Sequence, residues 1–245
     1  MNVNELAQTL KDINEGAISA ENAKEILANV NPLDLSLAEQ KLIESGTKPD
    51  ELRKLCDVHL ELIQMEAEEL KKKLTPGHPL HTLFGEHDII LGFLDKLEEV
   101  SKRAAEKTNI NEDDPDVKLL REVAKSLVET EKHHSREEDA LFPVLENRGI
   151  TGPTRIMRME HDELRAKKKE LLALVQGTKP LTTPESGIQL LDLASFITRV
   201  LREHIIKENS ILYPSAFQEL TGEEIWETIK EKSDQIGYCS FTPKH

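Results

Sequence analysis

A chain of 245 residues is long enough for one large or two small domains, and it carries a formal charge of -14. That acidic balance repels phosphate backbones and anionic headgroups, which argues against nucleic-acid and membrane partners. No stretch approaches the roughly 20 apolar residues of a bilayer span, and the start MNVNELAQTLKDINEG lacks a basic segment followed by an apolar one, so a cytoplasmic protein is expected.

Abundant Leu, Ile, Ala, Glu and Lys, with few aromatics and glycines, favour helices over sheets. The two cysteines, Cys56 and Cys239, form no disulfide framework and suit a reducing compartment. In the first third, Ser19 is placed to cap a short helix, Ser36 with Glu39 forms a capping-box pattern, and Gly46 can end that helix. Pro49 suits a first helical turn. From 50 to 74 the apolar positions Leu52, Leu55, Val58, Leu62, Met65 and Leu70 recur at helical spacing. On that stretch Cys56 and His59 lie three apart on one face, a geometry able to hold a metal or sense redox state, although a helical cysteine more often packs as a small apolar residue.

Two prolines and a glycine in Thr75 to Pro79 break the pattern and place a domain boundary there, so residues 1–75 form a small helical domain. Four long helical patterns follow, roughly 80–106, 116–146, 153–176 and 185–213, joined by short polar links with Pro or Gly. They predict an all-α, antiparallel up-down-up-down four-helix bundle over residues 76–220. Thr221 with Glu224 starts a last short helix through Trp226, and the tail GYCSFTPKH looks irregular, completing residues 221–245.

The chemistry lies in a repeat. The segments starting at His133 and His204 both read H-x3-E-x3-L-[FY]-P, and Glu86-His87-Asp88 recurs as Glu160-His161-Asp162. The order is an internal duplication of a helical hairpin, each half supplying two histidines and one glutamate. Residues four apart share a helix face, so His133 with Glu137 and His204 with Glu208 can each grip one centre. His204 and Glu208 interrupt an apolar stripe of Leu193, Ile197, Val200, Leu201, Ile211 and Leu212, and His87 interrupts Leu83, Phe84, Ile90, Leu91 and Leu94. Buried polar groups must find partners, and a shared metal satisfies all six. A single histidine on an apolar face is usually a hydrogen-bonded core residue, but four histidines and two glutamates in repeated register are not. Imidazole with carboxylate and no thiolate suits iron, zinc or manganese, and six side chains exceed one closed zinc site, so two ions are the economical answer.

At these residues the chain resembles the hemerythrin-like, H-H-E cation-binding family, over about residues 78–215. The resemblance implies an antiparallel four-helix bundle around two iron ions with an oxo or hydroxo bridge, and ligand roles for His87, His133, Glu137, His161, His204 and Glu208. The last three helical segments resemble especially the branch linked to repair of iron–sulfur clusters after nitrosative or oxidative damage. Residues 15–79 resemble a small helical domain of unassigned function that often precedes hemerythrin-like domains in prokaryotes. Oxygen-carrying relatives are expected to place a second histidine four beyond the third-helix one and an Asp five beyond the fourth-helix one. Here Arg165 follows His161 and Glu208 follows His204, which weakens any claim of oxygen carriage. His134 and His81 are candidates for a fifth histidine ligand, and His78 a weaker one. His134 lies nearer the centre of the Val123, Leu127, Leu141 stripe, whereas the repeat favours His133.

Glu138, Asp88 and Asp162 adjoin ligand positions and are candidate acceptors for imidazole N–H groups, though such residues are more often solvated charges. The Lys167, Lys168, Lys169 run reads as a solvent face, and nothing near Cys239 is identifiable as lowering its pKa. The expected function is a diiron protein that senses, scavenges or handles dioxygen, nitric oxide, peroxide or iron, with the N-terminal domain engaging a protein partner. The alternatives are an iron donor that repairs damaged iron–sulfur clusters and an interaction module stabilised by its metal. No nucleophile-base pair or phosphate-binding glycine loop is evident, so whether the protein is an enzyme stays open.

Overall fold

A computed structural model describes residues 2–19, 22–23, 26, 30, 34–35, 37–38, 41–42, 45–46, 67–107, 113–177 and 183–244. The expected capping box at Ser36 and Glu39, the Pro49 turn, the Leu52 to Met65 stripe and the Cys56/His59 pair lie outside the described residues. Every regular element among the described residues is helical, as the composition requires. The chain forms two compact units, one of Met1–Leu74 with Ile206–Thr221, the other of Thr75–Ile205 with Gly222–His245.

In the first unit, helix α1 spans Val3–Asn14. The Asn2 side chain accepts from the Asn4 and Glu5 amides while Glu5 reaches back to the Asn2 amide, a reciprocal cap. Leu6, Ala7 and Leu10 pack with Leu35, Ala38 and Leu42 in a small apolar core. Ser19 accepts the Asn22 amide at 3.3 Å, the capping role its position suggested.

The second unit carries the bundle. Helix α2 spans Pro79–Glu106. Its proline occupies the first turn, where a missing N–H costs nothing, and His78 Nδ1 caps the Leu80 amide. The second arm is a chain of pieces: α3 (Pro115–Glu129), α4 (Glu131–Arg136), a π turn π1 (Glu137–Leu141) and α5 (Phe142–Glu146). Helix α6 spans Gly152–Gln176, and α7 spans Pro184–Lys207. Leu94, Leu97, Leu120, Leu127, Leu164, Leu171 and Ile197 are all fully buried in one core drawn from the four arms. The short reversals between the arms make the bundle antiparallel, the architecture read from the sequence.

Proline explains the π turn. Pro143 has no N–H and its ring crowds the preceding turn. The helix widens instead, and the Phe142 amide donates to the Glu137 carbonyl five residues back. The duplicated segment does the same: π2 (Glu208–Leu212) precedes Pro214, the Tyr213 amide donates to the Glu208 carbonyl, and α8 spans Tyr213–Glu219.

Helix α9 differs from expectation. It spans Glu223–Ile236, well beyond Trp226, because Ile229 and Ser233 continue its buried face against α2, α4 and π1. Gly237, at φ 89°, ends it where a side chain would be strained. No described helix is long and apolar enough to cross a membrane.

Leu97 is fully buried while Ile188 is 61% exposed. Leu97→Ala is expected to lower unfolding free energy by about 2–5 kcal/mol, and Ile188→Ala by no more than about 0.5 kcal/mol, measured by urea denaturation.

Candidate metal centre

His87 on α2, His133 on α4 and Glu137 at the head of π1 bring one ligand atom each to within 4.8 Å of one another. A second cluster on the same scale joins His134, His161 and His204, from α4, α6 and α7. All six side chains are buried. Glu137 lies between the clusters, its Oε2 standing 3.5 Å from both His133 Nε2 and His161 Nε2.

His133 and His134 are therefore not alternatives. Neighbours on a helix point about 100° apart, and here each enters a different cluster. The His134 ring stacks on His161 at 4.0 Å with 5° between planes. Glu208 is fully buried as the first residue of π2, one helical turn after His204. It stands in the segment 206–221 and is the counterpart of Glu137 in the repeat. His81 is half-buried and enters neither cluster. His78 caps α2 and packs on Trp226 with ring centroids 4.5 Å apart.

Three imidazoles are oriented by carboxylates outside them. His133 Nδ1 donates to Glu86 at 2.7 Å, His204 Nδ1 to Glu160 at 2.7 Å, and His161 Nδ1 to Glu138 at 2.6 Å. An ionised carboxylate can only accept, so the proton sits on Nδ1 and each Nε2 presents a lone pair inward. His161 Nε2 and His204 Nε2 then face each other at 2.9 Å. Two lone pairs at that distance repel unless a cation lies with them. His133 Nε2 and His134 Nδ1 are also buried without a hydrogen-bond partner. The donor set thus fits a metal, as neutral imidazole and carboxylate ligands with their orienting partners in place.

The orienting carboxylates are held in turn by arginines. Arg136 Nη2 donates to Glu86 at 2.5 and 2.6 Å, and Arg165 Nη2 to Glu138 at 2.8 Å. Burial alone would raise the Glu86 carboxyl, but the hydrogen bonds and charges of His133, Arg136 and Thr242 outweigh it and hold it down to about 2. Burial likewise opposes ionisation of Glu138, and His161 with Arg165 overcomes it. Desolvation pushes the His133 imidazole down to about 4 and His134 well below its usual range, so both are neutral at pH 7. Arg165, the residue where an oxygen carrier is expected to have a second histidine, thus acts on His161 through Glu138.

Two expectations need correction. In the E-H-D tripeptides the outer acceptor is the glutamate, not the aspartate: Asp88 is exposed, and Asp162 is exposed and paired with Arg165 at 2.8 Å. In both hairpins that glutamate serves the histidine of the following arm. The tripeptide repeat itself held this signal, since Glu recurs directly before His. Second, Lys168 does not face solvent. It is 2% exposed, its amine donates to Thr130 Oγ1 at 2.6 Å, and burial pushes it down to about 7. It sits seven residues after His161, on the inner face of α6. The tail after Gly237 has no regular secondary structure, as expected, and the Cys239 thiol is buried against the Glu129 carbonyl, with burial pushing it up to about 12.

A profile of the hemerythrin HHE cation-binding domain matches residues 78–216, more than half of the chain. The chain belongs to the hemerythrin HHE cation-binding family. Ahead of that domain, residues 6–69 match a family of unknown function, DUF438. A comparison with functionally curated proteins finds no match. Membership in a cation-binding family and the two buried clusters together make this a metal-binding protein, with iron the metal the family suggests.

Below pH 6.5 the unfolded chain takes up a proton at His133 that the folded protein refuses until about 4, so metal-free protein should lose stability over that window. Glu86 extends the loss, because protonation from 4.5 downward favours the unfolded chain until the folded value of about 2. Urea midpoints of metal-free protein between those limits check the trend. Glu86→Gln, which leaves Arg136 buried without its countercharge, should cost about 3–5 kcal/mol at neutral pH.

Proposed function

We propose that the bundle is a non-haem diiron centre that senses or handles a small ligand such as dioxygen, nitric oxide or peroxide. His87, His133 and Glu137 hold one ion, with Glu208 supplying the counterpart carboxylate. His134, His161 and His204 hold the other. The observation that carries this reading is Glu137, equidistant at 3.5 Å from a histidine of each cluster and so able to serve both ions. Glu208 is assigned from its complete burial, its π turn and its register four residues after His204.

Iron held by imidazole and carboxylate supplies redox change and open coordination for a small ligand. The chain's own groups do the rest. Glu86, Glu138 and Glu160 fix the histidine tautomers, and the leucines of the core exclude bulk water. Complete burial of the donors favours retention of iron over its delivery, which supports sensing or scavenging over repair of damaged iron–sulfur clusters. It does not by itself favour a purely structural metal, because seven donors leave positions open on two octahedral ions. The DUF438 region is then the part that exchanges the signal with a protein partner.

Anaerobic loading with ferrous iron should give about two ions per chain, and nitric oxide or air should then produce a charge-transfer band in the near ultraviolet or visible. One zinc per chain from the native host, or an iron form blind to both gases, would sink the proposal. Replacing Glu208 by Ala should lower iron retention by on the order of tenfold or more, whereas His81→Ala should leave it unchanged.

A further inference from the structure

Residues 238–243, which follow α9 and have no regular structure, are tied along their length to the arms that carry His87 and His133. Lys132 Nζ donates to the Tyr238 carbonyl at 2.9 Å, and the Arg136 guanidinium lies over the Tyr238 ring at 4.7 Å. The Ser240 amide and hydroxyl donate to the two Glu129 oxygens at 2.6 and 2.7 Å. Phe241 meets Phe93 edge-on at 5.1 Å. Thr242 Oγ1 donates to Glu86 Oε1. Pro243 covers Gly85, where an added Cβ would stand 3.1 Å from its Cγ. Bare backbone at Gly85 therefore lets the segment settle beside Glu86.

We infer that residues 238–243 are a strap whose Thr242 hydroxyl positions Glu86, and through it the His133 imidazole, so that one half of the centre is fully assembled only when the strap is seated. The contacts single out that half. The Glu86 side chain is completely buried beneath Thr242 and Arg136, whereas its duplicate Glu160 keeps 22% of its side chain exposed. The strap is thus one of the differences between the two duplicated hairpins. Thr242 acts as a positioning residue, since it touches a carboxylate and not the ions.

This inference rests on the metal reading above, and its test separates the two. Full-length protein loaded anaerobically with ferrous iron is challenged with a chelator. In Thr242→Val one of the two ions should leave faster by on the order of tenfold, with the other unchanged and Thr242→Ser close to wild type. Gly85→Leu, which unseats Pro243 without touching Glu86, should reproduce the effect. Wild-type release of both ions from Thr242→Val and Gly85→Leu would overturn the strap. In metal-free protein, a slowly exchanging Nδ1–H resonance of His133, seen by histidine-selective 15N labelling, should be lost in Thr242→Val. If the wild type takes up no iron, the metal reading fails, and this resonance alone decides the strap: its persistence in both variants refutes it.

Discussion

The facing Nε2 atoms of His161 and His204, 2.9 Å apart in a fully buried interior, are the constraint around which this bundle is organised. Each ring has committed its Nδ1 proton to a carboxylate, so as neutral imidazoles neither can donate to the other. A cation relieves the repulsion and returns to the neighbouring buried donors the coordination they gave up with water. An interior of this kind is a poor source of stability without its ion, because buried polar groups that lack partners cost more than apolar ones of the same size. The leucine layers on the same arms supply the favourable burial that offsets this.

Around the imidazoles the charges alternate in sign outward. Imidazoles face the centre, Glu86 and Glu138 stand behind two of them, and Arg136 and Arg165 stand behind the carboxylates. The imidazole hydrogen bond and the guanidinium together keep each carboxylate ionised, which keeps each imidazole proton on Nδ1 and so keeps Nε2 available. The duplication carries the carboxylate step of this scheme as well as the ligands, since in both hairpins the glutamate before the first histidine serves the second. The halves diverge both within the repeat and through later chain: His134 has no counterpart histidine in the second half, where Ile205 stands, and Glu86 receives a hydroxyl from Thr242.

The π turns tie backbone to chemistry. Pro143 and Pro214 each forbid an ordinary helical hydrogen bond, and the widened turn starts at Glu137 and at Glu208. The carboxylate in each repeat is therefore the residue whose carbonyl accepts the long-range amide, placed at the one position where the helix changes pitch. A proline six residues after a glutamate was visible in the sequence, but its effect on helix pitch depends on how the surrounding arms resist a kink.

Sequence alone determined what is periodic or repeated: an all-α bundle, its breaks at Pro and Gly, and a duplicated H-x3-E pattern on buried stripes. These are local, since spacing along one helix fixes which residues share a face. Tertiary structure decided which faces oppose one another. It sent His133 and His134 into separate clusters, gave the outer acceptor role to Glu86 and Glu160 rather than Asp88 and Asp162, and buried Lys168 within a run of lysines. It also laid Thr242 on Glu86, 156 residues away. No periodicity reports a contact of that kind, because it depends on crossing angles and on where an irregular segment comes to rest.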